Sequence, residues 1–271
     1  MKAALAGVGI SFWLAMAGGV SAGPPAPERV IGGNVADPAV WPYVVAVTSA
    51  GGGQFCGGTV ISADAVVTAA HCLVDSQERP VSPSQIRVVT GRPDLRDDSS
   101  GQELRVDRLF VTRQYRRSFR KDIAVIRLSR PTVAAPALLP RPSEDRAATG
   151  DGDELRVAGY GATNRDGAGG GSPVLRAVET FSVKDRNCSQ SYRFFRPAGE
   201  ICTLGRRSGP GRTSPCFGDS GGPLISDSPR GALLIGAVSY GGQRCGVGPP
   251  TVYTRVANNL AFVKKKAGLS R

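Results

Sequence analysis

The sequence predicts an all-β protein in two halves, with a helix only at its C-terminus. Short runs of β-branched and aromatic residues recur along the chain, separated by Pro, Gly, Asp and Ser. With 36 glycines and 20 prolines among 271 residues, long regular elements are disfavoured and turns are favoured. A spacing of 3.6 residues emerges only near the end, at Val256, Leu260, Val263 and Ala267.

In chain order, the first set of predicted strands is Val44 to Thr48, Gly58 to Ile61, Ala65 to Thr68, Ile86 to Thr90, Leu104 to Val111 and Ile123 to Leu128. Arg130 to Gly150 is rich in Pro and Ala before turning polar, which reads as a connector. The second set is Leu155 to Ala158, Val174 to Val183, Glu200 to Thr203, Pro223 to Ser226, Ala232 to Ser239 and Thr251 to Val256. The helix follows, with Asn258 or Asn259 placed to cap its start. The expected boundaries are about 30–135 and 151–255 for the halves, 136–150 for the linker and 256–268 for the helix.

The N-terminus has the form of a secretory signal over residues 1–22. Lys2 supplies a positive end, Ala3 to Ala17 is small and apolar, and Val20-Ser21-Ala22 offers a cleavage site. The competing reading is a retained anchor, but the apolar run is short and broken by glycine. An extracellular protein is therefore expected, without a membrane partner. All six cysteines lie beyond this segment, which suits three disulfides in an exported chain. Zinc is the rival use of cysteine; no C-x-x-C pair occurs and the chain has one histidine.

The net charge is +12. Arg113 to Lys121, Arg193 to Arg196 and Lys264-Lys265-Lys266 are locally basic. Two readings stand: a surface for anionic polymers or acidic substrates, or an ordinary solvated surface rich in arginine. No nucleic-acid module accompanies the charge, so no nucleic-acid partner is expected. Residues 23–29 (GPPAPER) are proline-rich and end at Arg29, directly before Val30-Ile31-Gly32-Gly33, as either a processing site or a simple linker.

The most informative stretch is Cys216 to Pro223, CFGDSGGP. Its glycines allow tight backbone angles and close approach by another molecule. A serine in such a turn presents its hydroxyl among backbone N–H groups, as a nucleophile beside an oxyanion hole does. A plain surface loop is the other reading. A serine nucleophile needs a base at neutral pH, and His71, closing the apolar run Val67 to Cys72, is the one imidazole in the chain. A lone histidine is more often structural, so the two assignments stand or fall together. Asp122 enters the apolar run Ile123 to Leu128, where it serves either as a turn residue beside Lys121 or as the carboxylate that orients His71.

Five motifs in order resemble the trypsin/chymotrypsin family of secreted serine proteases: VIGG from Val30, TAAHC ending at Cys72, DIAVIRL from Asp122, GDSGGP from Gly218 and SYG from Ser239. The resemblance runs from Val30 to about Leu269. It implies two packed six-stranded antiparallel barrels with a C-terminal α-helix, and a monomer that cleaves proteins or peptides without a cofactor or metal. Chain order separates it from α/β-hydrolases, whose histidine follows the serine, and from subtilisin-like enzymes, whose aspartate comes first.

By the same resemblance, Ser220 is the nucleophile, His71 the general base and acid, and Asp122 its orienter, with Ser239 hydrogen-bonded to Asp122. The N–H groups of Gly218 and Ser220 form the oxyanion hole. The implied disulfides are Cys56–Cys72, Cys188–Cys202 and Cys216–Cys245. Cleavage after Arg29 frees the amine of Val30 to pair with Asp219, which makes the chain a zymogen.

The implied substrate site comprises Ser214, Phe217, Ser239, Tyr240, Gly241 and Thr251. Ser214 stands where trypsin-like members carry an aspartate, so Lys and Arg are not expected before the scissile bond. Gly241 leaves the pocket mouth open, and Thr251 shortens the slot toward an elastase-like preference for small or medium apolar residues. A one-residue shift at Gly248-Pro249-Pro250 restores a deeper, chymotrypsin-like pocket. Such an enzyme cleaves poorly after Arg29, so a separate trypsin-like protease is the expected activator. In the region of the family's calcium loop, Gly91 to Glu103, Arg92 falls where a carboxylate is needed. The rival class is an inactive relative that binds anionic polymers through its basic surface.

Overall fold

The computed structural model describes Met1, residues 31–118 and residues 120–269, with backbone alone at Arg117. The expected signal peptide beyond Met1, the propeptide, Arg29 and Val30 lie outside the described residues.

The described chain begins on the second barrel and then builds the first. Strand β1 (Asn34–Val35) pairs with a later strand. Strands β2 (Val44–Ser49), β3 (Gly52–Ser62), β4 (Ala65–Thr68), β5 (Ile86–Thr90), β6 (Gln102–Val111) and β7 (Ala124–Leu128) then close an antiparallel barrel in the order β2-β3-β4-β7-β6-β5. Continuous apolar runs such as VVAV in β2 and AVV in β4 are buried along their whole length. One set of alternate side chains fills the barrel, and the other is covered by packing from outside.

The second half contributes β8 (Glu154–Gly159), β9 (Arg176–Ser182), β10 (Glu200–Gly205), the small ribbon β11 (Arg207–Ser208) and β12 (Gly211–Arg212), then β13 (Pro223–Ser228), β14 (Gly231–Tyr240) and β15 (Thr251–Arg255). The order β9-β10-β15-β14-β13-β8 closes through a β9–β8 pairing, giving a second six-stranded antiparallel barrel, and β1 joins β9 at Ala177 and Arg176. Leu155, Val157, Leu224, Leu233, Ile235 and Tyr253 form its core. The architecture is the predicted pair of barrels.

Besides the single helical turn Tyr115–Ser118, two short helices, Pro142–Ala147 and Asp185–Ser191, correct the expectation of a single helix. Each has fewer than two full turns, too few to impose a readable period on the sequence. The first lies inside the expected connector. Pro142 opens it, the Glu144 carboxylate accepts the Arg141 N–H at 2.7 Å, and buried Asp145 pairs with Arg255 at 2.6 Å. The second is tied to β10 by Cys188–Cys202.

At the C-terminus, a 3-10 turn (Ala257–Asn259) leads into the helix Leu260–Ala267, which ends at left-handed Gly268. Val256, Val263 and Ala267 are buried, as their spacing requires. The predicted asparagine cap is not made: Asn259 occupies the cap position, but its amide donates backward to the Arg255 carbonyl at 2.8 Å.

Candidate active site

The cleft lies where the Cys216–Pro223 turn, which leads into β13, meets the first barrel. Gly57 in β3 donates its N–H to the Ser220 carbonyl at 2.7 Å. Gly221 adopts φ +78° and lies against Thr68 and the Ala69 N–H, so any side chain there would collide with both. Thr68 is itself held by a hydrogen bond to the Gly57 carbonyl at 2.7 Å. Three residues past Thr68, a 3-10 turn (His71–Leu73) turns the chain out of β4 and leaves the His71 side chain 31% exposed. The Cys56–Cys72 disulfide clamps this turn to β3, and Cys72 Sγ stands 3.7 Å from the Ser220 carbonyl oxygen. A loop of this length contributes about 3 kcal/mol in the chain-entropy account.

Asp122 meets His71 with both oxygens. Oδ1 accepts the His71 backbone N–H at 2.9 Å, and Oδ2 lies 2.8 Å from Nδ1. Ser239 donates its hydroxyl to Oδ2 at 2.6 Å, bringing β14 of the second barrel to the same carboxylate. This geometry selects the tautomer with the proton on Nδ1, which leaves Nε2 as an acceptor. Burial opposes charge on the imidazole, but the hydrogen bond and negative charge of Asp122 outweigh it and raise the His71 pKa above the ordinary 6.5. The His71 ring makes its side-chain hydrogen bond to Asp122 and none to Ser220 Oγ among the described residues. Such contacts often tighten only when substrate is bound.

Gly218 (φ +94°) and Ser220 keep backbone N–H groups without an acceptor among the described residues. The intervening Asp219 N–H folds back to the Cys216 carbonyl at 2.9 Å. The sequence reading missed Gln54. Its Nε2 donates to the Gly218 carbonyl at 2.7 Å and to the Cys56 carbonyl at 3.0 Å, fixing the orientation of that peptide from the opposite barrel. A neutral glutamine two residues before a cysteine carries no signal of this role in a linear reading.

Asp219 points away from the cleft and is 1% exposed. Its carboxylate accepts N–H groups from Gly161 at 2.7 Å and Cys216 at 2.8 Å. No cationic partner is present among the described residues. Burial pushes its pKa up to about 6, against the lowering effect of those two hydrogen bonds. Ile31, the first residue described after the gap, is buried with Cys216 and Cys245, and its carbonyl accepts the Ser214 N–H at 3.2 Å.

A cavity of about 260 Å³ opens beside Ser220. Ser214, Phe217, Ser239, Tyr240, Gly241 and Thr251 all line it. Ser214 is buried, bonded to the Pro215 carbonyl at 2.7 Å and 3.3 Å from Thr251 Oγ1. A Cβ on Gly241 would stand 3.9 Å from that same Thr251 oxygen, so the two residues face each other across the cavity. Phe217 is exposed at the rim, and the Tyr240 ring meets Tyr192 edge-on at 5.1 Å. Arg165, also missed from sequence, braces the outer wall through the carbonyls of Ser208, Arg212 and Cys245, each at 2.9 Å. Cys216–Cys245 ties that wall to the Ser220 turn. In the loop from Gly91 to Glu103, the buried Arg92 guanidinium donates to the Ser100 carbonyl at 3.0 Å and to Asp98 at 2.6 Å.

A family model described as Trypsin matches residues 30–263 of the 271-residue chain. That match covers both barrels, the cleft between them and the start of the C-terminal helix, and the chain belongs to the trypsin family of serine proteases.

Proposed function

We propose that this chain is a secreted serine endopeptidase, made as a zymogen, that cleaves after small or medium apolar residues. The observation that carries the reading is the carboxylate of Asp122 shared between His71 and Ser239, at the mouth of a turn that presents Ser220. In this mechanism Ser220 Oγ attacks the scissile carbonyl as His71 Nε2 takes its proton. The imidazolium that forms is stabilised by Asp122, and His71 then protonates the leaving amine. Charge developing on the carbonyl oxygen is met by the N–H groups of Gly218 and Ser220, each worth roughly 3–4 kcal/mol in the transition state. Water attacks the acyl-enzyme by the same route in reverse.

Activation follows from the buried Asp219. Cleavage after Arg29 frees the amine of Val30, one residue ahead of the anchored Ile31, as a cation for that carboxylate. Specificity follows from the cavity floor. Ser214 offers no charge to a substrate Lys or Arg, and Thr251 beside it limits depth. A separate trypsin-like protease therefore performs the cleavage after Arg29. The decisive experiment is to process the protein with trypsin, remove the trypsin, and titrate with an organophosphate. Stoichiometric labelling of Ser220, with hydrolysis of Ala and Val peptides ahead of Phe and Arg peptides, is expected. Absence of labelling would instead make the chain an inactive relative.

A further inference from the structure

Arg165 holds its guanidinium among three carbonyl oxygens and meets no carboxylate. Nη1 donates to the carbonyls of Arg212 and Cys245 and Nη2 to that of Ser208, each at 2.9 Å. The side chain forms no ion pair among the described residues. Burial, and then the like charge of Arg244, lower its pKa from the ordinary arginine value. The three carbonyl dipoles are what offset that cost. The chain also leaves room for the group. A Cβ on Gly246 would stand 2.5 Å from Nη1, and one on Gly211 would stand 2.7 Å from it.

The carbonyls belong to separate segments. Ser208 and Arg212 lie on the two strands of the β11–β12 ribbon, and Cys245 follows β14 and is bridged to Cys216 at the start of the Ser220 turn. The backbone repeats the connection: the Arg165 carbonyl accepts the Cys245 N–H at 2.7 Å, and the Gly246 carbonyl accepts the Arg212 N–H at 2.8 Å. Cys245 and Gly246 line the cavity beside Ser220, whereas Arg165 does not. Its charge therefore stands behind the wall. We propose that Arg165 is a positioning residue for substrate selection, a built-in cation that sets how closely Cys245 and Gly246 approach the side chain entering the cavity. This rests on the reading of that cavity as the pocket for the residue before the scissile bond. A neutral side chain at this position leaves three carbonyls facing one another without their donor, which moving the Cys245–Gly246 segment outward would relieve. Lysine would return the charge without the planar fork that reaches all three oxygens. The guanidinium bonds neither His71, Asp122, Gly218 nor Ser220, so its loss acts on selection and not on the chemical step.

The test compares Arg165→Ala with the native chain, both processed after Arg29 and counted by organophosphate titration, so that rates refer to folded active sites. KM for a Val peptide should rise about fivefold or more with kcat within about twofold, and the Val-to-Phe ratio of kcat/KM should fall. Millimolar guanidinium chloride should move both back toward the native values, and NaCl at the same ionic strength should not. Arg165→Lys should recover only part of the loss. Hydrogen exchange on the Ser220→Ala chain, likewise processed, reads the wall without catalysis. There the Arg212 and Cys245 amides should lose protection in Arg165→Ala and regain it with guanidinium, while the amides of β4 keep theirs and show that the variant folds. An unchanged Val-to-Phe ratio would overturn the proposal, as would native protection of those two amides in the variant or equal recovery with NaCl. Should the native chain take no label, the endopeptidase reading falls on its own, and the exchange measurement then decides whether Arg165 holds the wall.

Discussion

Asp219 offers the sharpest test of activation, because the same carboxylate should destabilise one form of the protein and stabilise the other. In the described structure it is buried with two backbone donors, and its pKa rises from 3.8 to about 6. At about 1.36 kcal/mol per pKa unit, ionised Asp219 costs the folded chain about 3 kcal/mol relative to the unfolded one. The sign is that of a raised pKa. The stability is present below the unfolded value of 3.8 and is lost as pH climbs through about 6. Replacing Asp219 with Asn should therefore stabilise the uncleaved chain at pH 7.5, by up to about 3 kcal/mol less the imperfect fit of the amide. On the proposed activation, cleavage after Arg29 lets the amine of Val30 pair with this carboxylate, and breaking such a pair costs about 3–5 kcal/mol. Asp219→Asn should then destabilise. The assay is urea unfolding of Ser220→Ala chains at pH 4.5 and 7.5, uncleaved and trypsin-processed, with and without Asp219→Asn. An Asp219→Asn effect of the same sign in both forms at pH 7.5 would refute the coupling.

Other expectations follow from the same geometry. The kcat/KM of the processed enzyme should rise with pH as His71 loses its proton, with a midpoint above 6.5; Asp122→Asn should move that midpoint down and lower kcat by roughly 10⁴. Gln54→Ala frees the Gly218 carbonyl, so kcat should fall about tenfold to a hundredfold with KM little changed; a pure KM effect would remove Gln54 from oxyanion positioning. Thr251→Gly deepens the floor beside Ser214, and the Phe-to-Ala ratio of kcat/KM should rise at least tenfold. An unaltered ratio in peptide profiling would place the depth control elsewhere.

Much of this protein was legible in one dimension because its signals are local. Both sets of barrel strands announce themselves as β-rich runs between turns, since a strand needs only four or five residues of suitable side chains to be recognised. GDSGGP, TAAHC and DIAVIRL likewise carry candidate roles within a few residues, because a nucleophile turn or a strand-end histidine is a short-range device. The short helices, the direction of the Asn259 amide and the braces made by Gln54 and Arg165 were not legible. Each depends on partners many residues away or on too few turns to leave a period. The Ser239–Asp122 bond and the Gly241–Thr251 pair entered the sequence reading only through the family resemblance; tertiary structure put Ser239 and His71 on one carboxylate oxygen, set Thr251 across from Gly241, and assembled two basic runs into one groove. The physical reason is common to all three. Hydrophobic patterning decides which backbone is buried, whereas hydrogen bonds and unpaired charges acquire meaning only when barrel closure fixes which distant groups share a small volume.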